Sequence, residues 1–324
     1  MAEASYLAAG ARALAEAMRA DPTVWALGED LGRGGVFGQY KGLQAEFGPE
    51  RIVDTPISEA AILAAAVGAA LMGTRPVVEM RFADFALCAV DELVNQAAKA
   101  RYMFGGQGRV PLVVREPMGM WRSSAAQHSQ SLEAWYVHVP GLVVLAPATP
   151  ADNRALLRAA IACDDPVVHL EHKNLWPLLG EVPEEPEPAP IGRARRVRDG
   201  SDLTLVSWSA TVHEAARAAE ELAREGISVD LLDLRSLWPW DREAVLGSAA
   251  RTGRLLVAHE AVKVAGLGGE IAATVAEELG VPVARLGAPR VPVPYSPPLE
   301  AELRVEAAAI AAGARRLLAR PPRR

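Results

Sequence analysis

Short runs of uninterrupted apolar residues alternate with longer stretches of helical periodicity along almost the whole chain. That alternation narrows the fold more than any other feature. A strand that is apolar at every position must be covered on both faces, which is the situation of a parallel sheet sandwiched between helices. In the first half, Val24–Leu27, Arg75–Phe82, Pro111–Arg115, Leu142–Leu145 and Pro166–Glu171 read as strands. Helical spacing over 4–20, 59–72, 84–102 and 150–163 separates them. Asp21-Pro22 stops the first helix, and Gly73 stops the second.

The pattern is interrupted once. Residues 181–190 read EVPEEPEPAP, four prolines and four glutamates in ten positions, which cannot build a core and predict an extended linker. Beyond it the alternation restarts, with strands over 203–206, 229–234, 255–258 and 281–286. Helices are predicted over 212–225, 242–250, 269–279 and 299–318. The chain therefore predicts an α/β fold in two domains, 1–186 and 187–324. With 324 residues, half of them hydrophobic, each domain can bury a core of its own.

The net charge of -6 argues against nucleic acid or an anionic membrane surface as a partner. No long uncharged apolar stretch predicts a membrane span. The start Met-Ala-Glu-Ala lacks a basic-then-apolar signal, so the expected location is cytoplasmic. Two isolated cysteines, Cys88 and Cys163, read as core thiols in a reducing compartment.

Taken singly, the motifs are weak. The glycine cluster at 32–38 does not match a dinucleotide fingerprint, and no P-loop occurs. GLGGE at 266–270 is better explained as a tight entry into a helix than as a phosphate turn. His169 and His172 lie three apart on a strand end, a poor zinc spacing.

Taken together and in order, the segments are specific. They are LGED and GGVFG within 27–38, DTPISE at 54–59, RFADF at 81–85 and RYMFGGQ at 101–107. AAQHSQS at 125–131, HVPGL at 138–142, DDPVVHLEHK at 164–173 and DLRSLWPWD at 233–241 complete the set. The chain resembles the β subunits of thiamine-diphosphate-dependent 2-oxo acid dehydrogenases along its length. RYMFGGQ and LEHK look most like the acetoin dehydrogenase branch, EAWYVHVPGL more like the pyruvate branch.

That resemblance implies a pyrimidine-binding fold followed by a transketolase C-terminal-type domain. It implies an oxidoreductase that decarboxylates a 2-oxo acid, or cleaves acetoin, and passes the acyl group to a lipoyl carrier. The Gly-Asp-Gly and Asn-Asn motifs that hold diphosphate and Mg²⁺ in such enzymes do not occur here. An α subunit is therefore expected to supply them in an α₂β₂ heterotetramer. The dihydrolipoyl acyltransferase core is the second expected partner.

The same resemblance implies roles for individual residues. Glu59 matches the carboxyl that bonds the cofactor's pyrimidine ring nitrogen; by itself, a glutamate there merely favours a helix start. His128 matches the loop histidine near the lipoyl group, placed to donate a proton in reductive acylation or to stabilise charge on the reaction intermediate. Ile57 and Phe85 match residues packed on the aminopyrimidine. Arg81 stands where branched-chain relatives carry glutamine, so it either sits beside the cofactor or turns into a salt bridge. Leu112, Ala160, Ile161, Cys163 and Asp165 match a structural potassium site made largely of main-chain carbonyls. Trp238, Trp240 and PVPYSP at 292–297 read equally well as interface anchors or as local core.

Two alternatives share the pattern. A split transketolase or deoxyxylulose-phosphate-synthase-like subunit has both domains, and a non-catalytic, doubly wound α/β nucleotide-binding scaffold has the same layers.

Overall fold

A computed structural model describes residues 2–184 and 189–320. The chain forms two compact units, Met1–Met118 with Trp135–Ile191, and Gly119–Ala134 with Gly192–Arg324.

In the first unit, β1 (Ala2–Ser5) leads into a helix over Tyr6–Ala20, where the Ser5 hydroxyl accepts the Ala8 N–H at 3.1 Å. The further strands are β2 (Val24–Glu29), β3 (Ile52–Thr55), β4 (Arg75–Glu79), β5 (Val113–Met118), β6 (Val143–Leu145) and β7 (Val167–His172). They pair in parallel in the order β6-β7-β5-β4-β2-β3. β8 (Leu179–Val182) pairs antiparallel with β1. The helices Tyr6–Ala20 and Pro150–Ala162 cover one face, and their apolar sides join Val24, Val77, Val113 and Val167 in one core.

The second unit is built on β9 (Arg195–Arg198), β10 (Leu203–Ser207), β11 (Val229–Asp233), β12 (Ser236–Trp238), β13 (Leu255–Val262) and β14 (Val283–Ala288). Its sheet runs β14-β13-β10-β11-β9, parallel except for the antiparallel edge strand β9. The helices Thr211–Arg224 and Ala307–Leu318 cover one face, with Leu203, Leu205, Leu231 and Leu256 beneath them.

Several boundaries differ from the sequence reading. The start of the expected linker is structured, because Glu181 and Val182 belong to β8; residues 185–188 of that stretch lie outside the described residues. The strand beginning at Arg75 ends at Glu79. The helix expected over 84–102 breaks into a helical turn at Ala83–Ala86, a 3₁₀ turn at Leu87–Ala89, a π-helical stretch at Glu92–Ala97 and an α-helix at Ala98–Met103. The Asp91 carboxylate accepts from Asn95 at 2.7 Å and from Gln96 at 3.2 Å, spacings of four and five residues that suit the widened turn. The closing helix is two helices, Pro297–Ala301 and Ala307–Leu318. Leu303 between them is buried against Met120 and Ala288, and the Glu214 carboxylate accepts the first N–H of the second helix at 3.1 Å. Both cysteines are free, but Cys88 is exposed on its 3₁₀ turn and is not a core residue.

Candidate active site

In an open parallel sheet, ligands bind where the connections leaving neighbouring strands diverge at the carboxyl ends. Here β2 connects to β3 on one side and β4 to β5 on the other, so the crevice opens at the ends of β2 and β4. Glu29 ends β2, Asp30 follows it, and Arg81 lies just beyond the end of β4.

Asp30 adopts a left-handed conformation (φ 59°) immediately after the strand. Arg81 Nη1 reaches Asp30 Oδ2 at 2.5 Å and Glu29 Oε2 at 3.6 Å, so the salt-bridge alternative for Arg81 describes its geometry. Burial raises the proton affinity of Glu29; the Glu59 carboxylate raises it further and Arg81 opposes both. Glu29 and Glu59 are thus electrostatic neighbours in one crevice. Glu29 lies in the LGED segment, where nothing in the spacing of the residues marks it out.

Glu59 is half-buried at the first position of the helix Glu59–Leu71, as its place after Ser58 predicts. The Ser58 hydroxyl makes no capping bond. Ile57, in the bend before that helix, is 77 % exposed. A large apolar side chain this bare at the ligand-binding edge of a sheet is a ready contact for a flat ring. Phe85 is half-buried on the turn Ala83–Ala86 and packs edge-on against Phe82, with centroids 5.5 Å apart. The first unit therefore gathers an exposed isoleucine, a part-exposed phenylalanine and a carboxyl at the carboxyl end of its sheet, a set that fits an aminopyrimidine.

His128 belongs to the second unit and is half-buried, with its N–H bonded to the Ala125 carbonyl at 3.4 Å. The matched potassium positions form one neighbourhood in the first unit. Leu112 O accepts from Val167 N–H at 2.8 Å, and Ala160 O from Cys163 N–H at 3.1 Å. Ile161 O and Cys163 O both accept from Arg75 Nη1 at 3.0 Å, while Asp165 Oδ1 pairs with Arg101 Nε at 2.5 Å. Arg75 therefore already places a guanidinium charge on two of these carbonyls, where a monovalent cation would have to sit, so the set as it stands does not fit potassium.

His169 is fully buried and bonded through Nε2 to Asn153 Oδ1 at 2.8 Å; burial and nearby Arg115 push its pKa down to about 3. The GLGGE glycines open the helix Gly268–Leu279. Cβ atoms at Gly266 or Gly268 would come within 2.8 Å of the His259 ring, so close packing accounts for this glycine-rich turn. Trp238 is 43 % exposed on β12, while Leu237 beside it is buried.

Residues 2–177 match the family described as transketolase, pyrimidine binding domain, and residues 192–310 match transketolase, C-terminal domain. The 2-oxoisovalerate dehydrogenase subunit beta of Bacillus subtilis is 42 % identical, with 93 % of this chain and 94 % of that protein covered. The acetoin:2,6-dichlorophenolindophenol oxidoreductase subunit beta of Cupriavidus necator is 44 % identical, covering 94 % and 95 %. The chain belongs to the 2-oxo acid and acetoin dehydrogenase β-subunit family. The mitochondrial pyruvate dehydrogenase E1 component subunit beta-2 of Oryza sativa subsp. japonica is 44 % identical, covering 89 % of this chain and 79 % of that protein. Among solved structures, an inactive β4 tetramer of a split-gene transketolase superposes with a TM-score of 0.81 at 26 % identity, covering 97 % and 98 %.

Proposed function

We propose that this chain is the β subunit of a thiamine-diphosphate-dependent dehydrogenase that acts on a 2-oxo acid or acetoin and works with an α subunit. The observation that carries this reading is the dehydrogenase β-subunit likeness, 42–44 % over about nine tenths of the chain. The split transketolase, at 26 %, shares the architecture at lower identity, which favours the dehydrogenase branch. Relatives named for 2-oxoisovalerate, acetoin and pyruvate stand at similar identity, so the substrate is given only as a class.

Thiamine diphosphate, when bound, supplies the nucleophilic carbon and electron sink for cleaving a bond beside a carbonyl. Ile57 and Phe85 hold the aminopyrimidine by apolar contact. Glu59 holds a proton at its ring nitrogen. Glu29, whose proton affinity is raised by burial and by the Glu59 charge and lowered by Arg81, is the second carboxyl of this crevice. Arg81 stays paired with Asp30 and sets the floor of the crevice from the β4 side. His128 serves the lipoyl end of the reaction as a proton donor. The α subunit supplies Mg²⁺ and the diphosphate site, and the acyltransferase core receives the acyl group. A potassium ion at the carbonyls around Leu112, Ala160, Ile161, Cys163 and Asp165 would have to displace the Arg75 guanidinium from Ile161 and Cys163. A fall in melting temperature when KCl is replaced by choline chloride tests that site, and an unchanged melt removes it.

The decisive test is Glu59→Gln in the reconstituted α–β assembly. An amide keeps the shape but cannot pass the proton. Exchange of the thiazolium carbon proton for deuterium, read by quenched flow and NMR, should slow about a hundredfold or more. Cofactor affinity should fall only modestly. Exchange at the wild-type rate would reduce Glu59 to a helix-start residue and withdraw its assignment.

A further inference from the structure

The segment Gly119–Ala134, which carries His128, is held in a conformation that its own sequence does not favour. Arg122, Ser123 and Ala125 all have positive φ (47°, 56° and 61°). None is glycine, and each such residue is strained unless its surroundings impose the conformation. Within the segment, Gly119 N–H donates to the Gln130 carbonyl at 3.1 Å, Ser124 N–H to the Trp121 carbonyl at 3.0 Å and His128 N–H to the Ala125 carbonyl at 3.4 Å. Further anchors come from the body of the second unit. Glu300 Oε2 accepts the Ser123 N–H at 2.6 Å. Trp208, fully buried and stacked on His259, donates its indole N–H to Glu133 Oε1 at 3.0 Å.

Glu260, on β13, does something the other anchors do not. Its single Oε1 accepts both the Met120 N–H at 2.8 Å and the Ser131 hydroxyl at 3.3 Å. These two donors stand on either side of His128 in the chain, so one carboxylate oxygen ties together the two limbs of the loop. Charge-assisted bonds of this kind are stronger than neutral ones and fix geometry as well as energy. The same carboxylate lines a cavity of about 580 Å³ whose wall includes Gln127 and Ser129, the immediate neighbours of His128. Gln127 and Ser129 thus face this space while the His128 ring is outside its lining, and Glu260 fixes the two limbs that carry all three.

We infer that Glu260 is a positioning residue for His128: its carboxylate, bonded to Met120 and Ser131, fixes the loop so that the imidazole is presented for transfer to the lipoyl group. The inference rests on the reading of His128 given above. Displacing a positioned group by about 1 Å can cost a factor of about a hundred, so the effect belongs in kcat and not in substrate binding.

The experiment uses the reconstituted α–β assembly with a lipoyl domain as acceptor, and dichlorophenolindophenol as an alternative acceptor. Glu260→Ala should lower kcat for lipoyl transfer about tenfold or more, with KM for the 2-oxo acid changed less than about threefold. Lipoyl transfer should suffer more than dye reduction, the same skew expected of His128→Ala. Glu260→Gln, which keeps an acceptor oxygen, should recover most of the rate. The double variant with His128→Ala should be no slower than His128→Ala alone, because a group that acts through another adds nothing once that other is gone. Additive losses, or equal losses in both acceptors, would overturn the inference while leaving His128 in place. If Glu260→Ala does not assemble, Ser131→Ala removes one of the two contacts; it should show the same skew, and wild-type behaviour there would overturn the inference. Normal lipoyl transfer in His128→Ala would overturn the reading of His128 itself, and this inference with it.

Discussion

Glu116 is fully buried near the end of β5, with the Tyr136 hydroxyl and the Asp84 carboxyl as its polar neighbours. Burial, the largest influence, pushes its pKa up to about 8 from the usual 4.5. The folded chain therefore keeps this proton across a range where the unfolded chain releases it. The linkage has one sign: the folded state binds more protons between about 4.5 and 8, so this group's contribution to stability falls as pH rises through that window. Glu116→Gln has no proton to lose. It should gain stability over the wild type between pH 5 and pH 9 by about 4 kcal/mol, read from melts at the two pH values. An unchanged difference would show that Glu116 is already ionised in the folded chain. Glu79 obeys the same rule at about 7, moderated by Arg115, which lies 3.3 Å from it and 2.7 Å from Glu171. No sequence signal separates these buried carboxyls from surface ones. The place of Glu59 at a helix start, by contrast, was readable from the residues around it.

At the level of elements, close approach decides what the HVPGL segment can be. Gly141 has φ 102°, and a Cβ there would lie 2.0 Å from the Ala98 carbonyl oxygen. That oxygen belongs to the helix Ala98–Met103, so the glycine lets the turn before β6 press against a helix backbone. Gly141→Ala meets strain and a backbone clash together, and should cost about 3 kcal/mol, measured as a shift of the denaturant midpoint. A loss under about 0.5 kcal/mol would mean that the turn moves away freely. The same stretch shows why periodicity alone misjudged an element. Helical spacing continues from Asp84 to Tyr102, and the residues are helical in the broad sense. The interruption at 87–97 depends on Asp91 reaching Asn95 and Gln96, a side-chain choice that apolar spacing does not encode. β9 was missed because Arg195–Arg198 carries three arginines in four residues and has no apolar run; it is an edge strand, where charge is tolerated.

For the molecule as a whole, the proposed division of labour makes a direct prediction. The first unit offers apolar and carboxyl contacts for a pyrimidine, and the sequence holds no motif for diphosphate and Mg²⁺. Titration calorimetry of the purified chain should show weak cofactor binding or none, and strong Mg²⁺-dependent binding only after the α subunit is added. Tight binding to the chain alone would sink the shared-site reading. Among the described residues, no helix is long and apolar enough to cross a membrane. By itself the sequence determined the layered α/β class, the restart of the pattern after the proline–glutamate stretch, and the family, because apolar runs and ordered motifs are properties of local chain order. Only the tertiary structure decided that Gly119–Ala134 groups with the later residues, that Arg81 pairs with Asp30, that Glu29 neighbours Glu59, and that Glu260 clamps the His128 loop. Met120 and Glu260 are 140 positions apart. Contacts at such a separation are set by how sheets and loops pack, and spacing along the chain does not specify them.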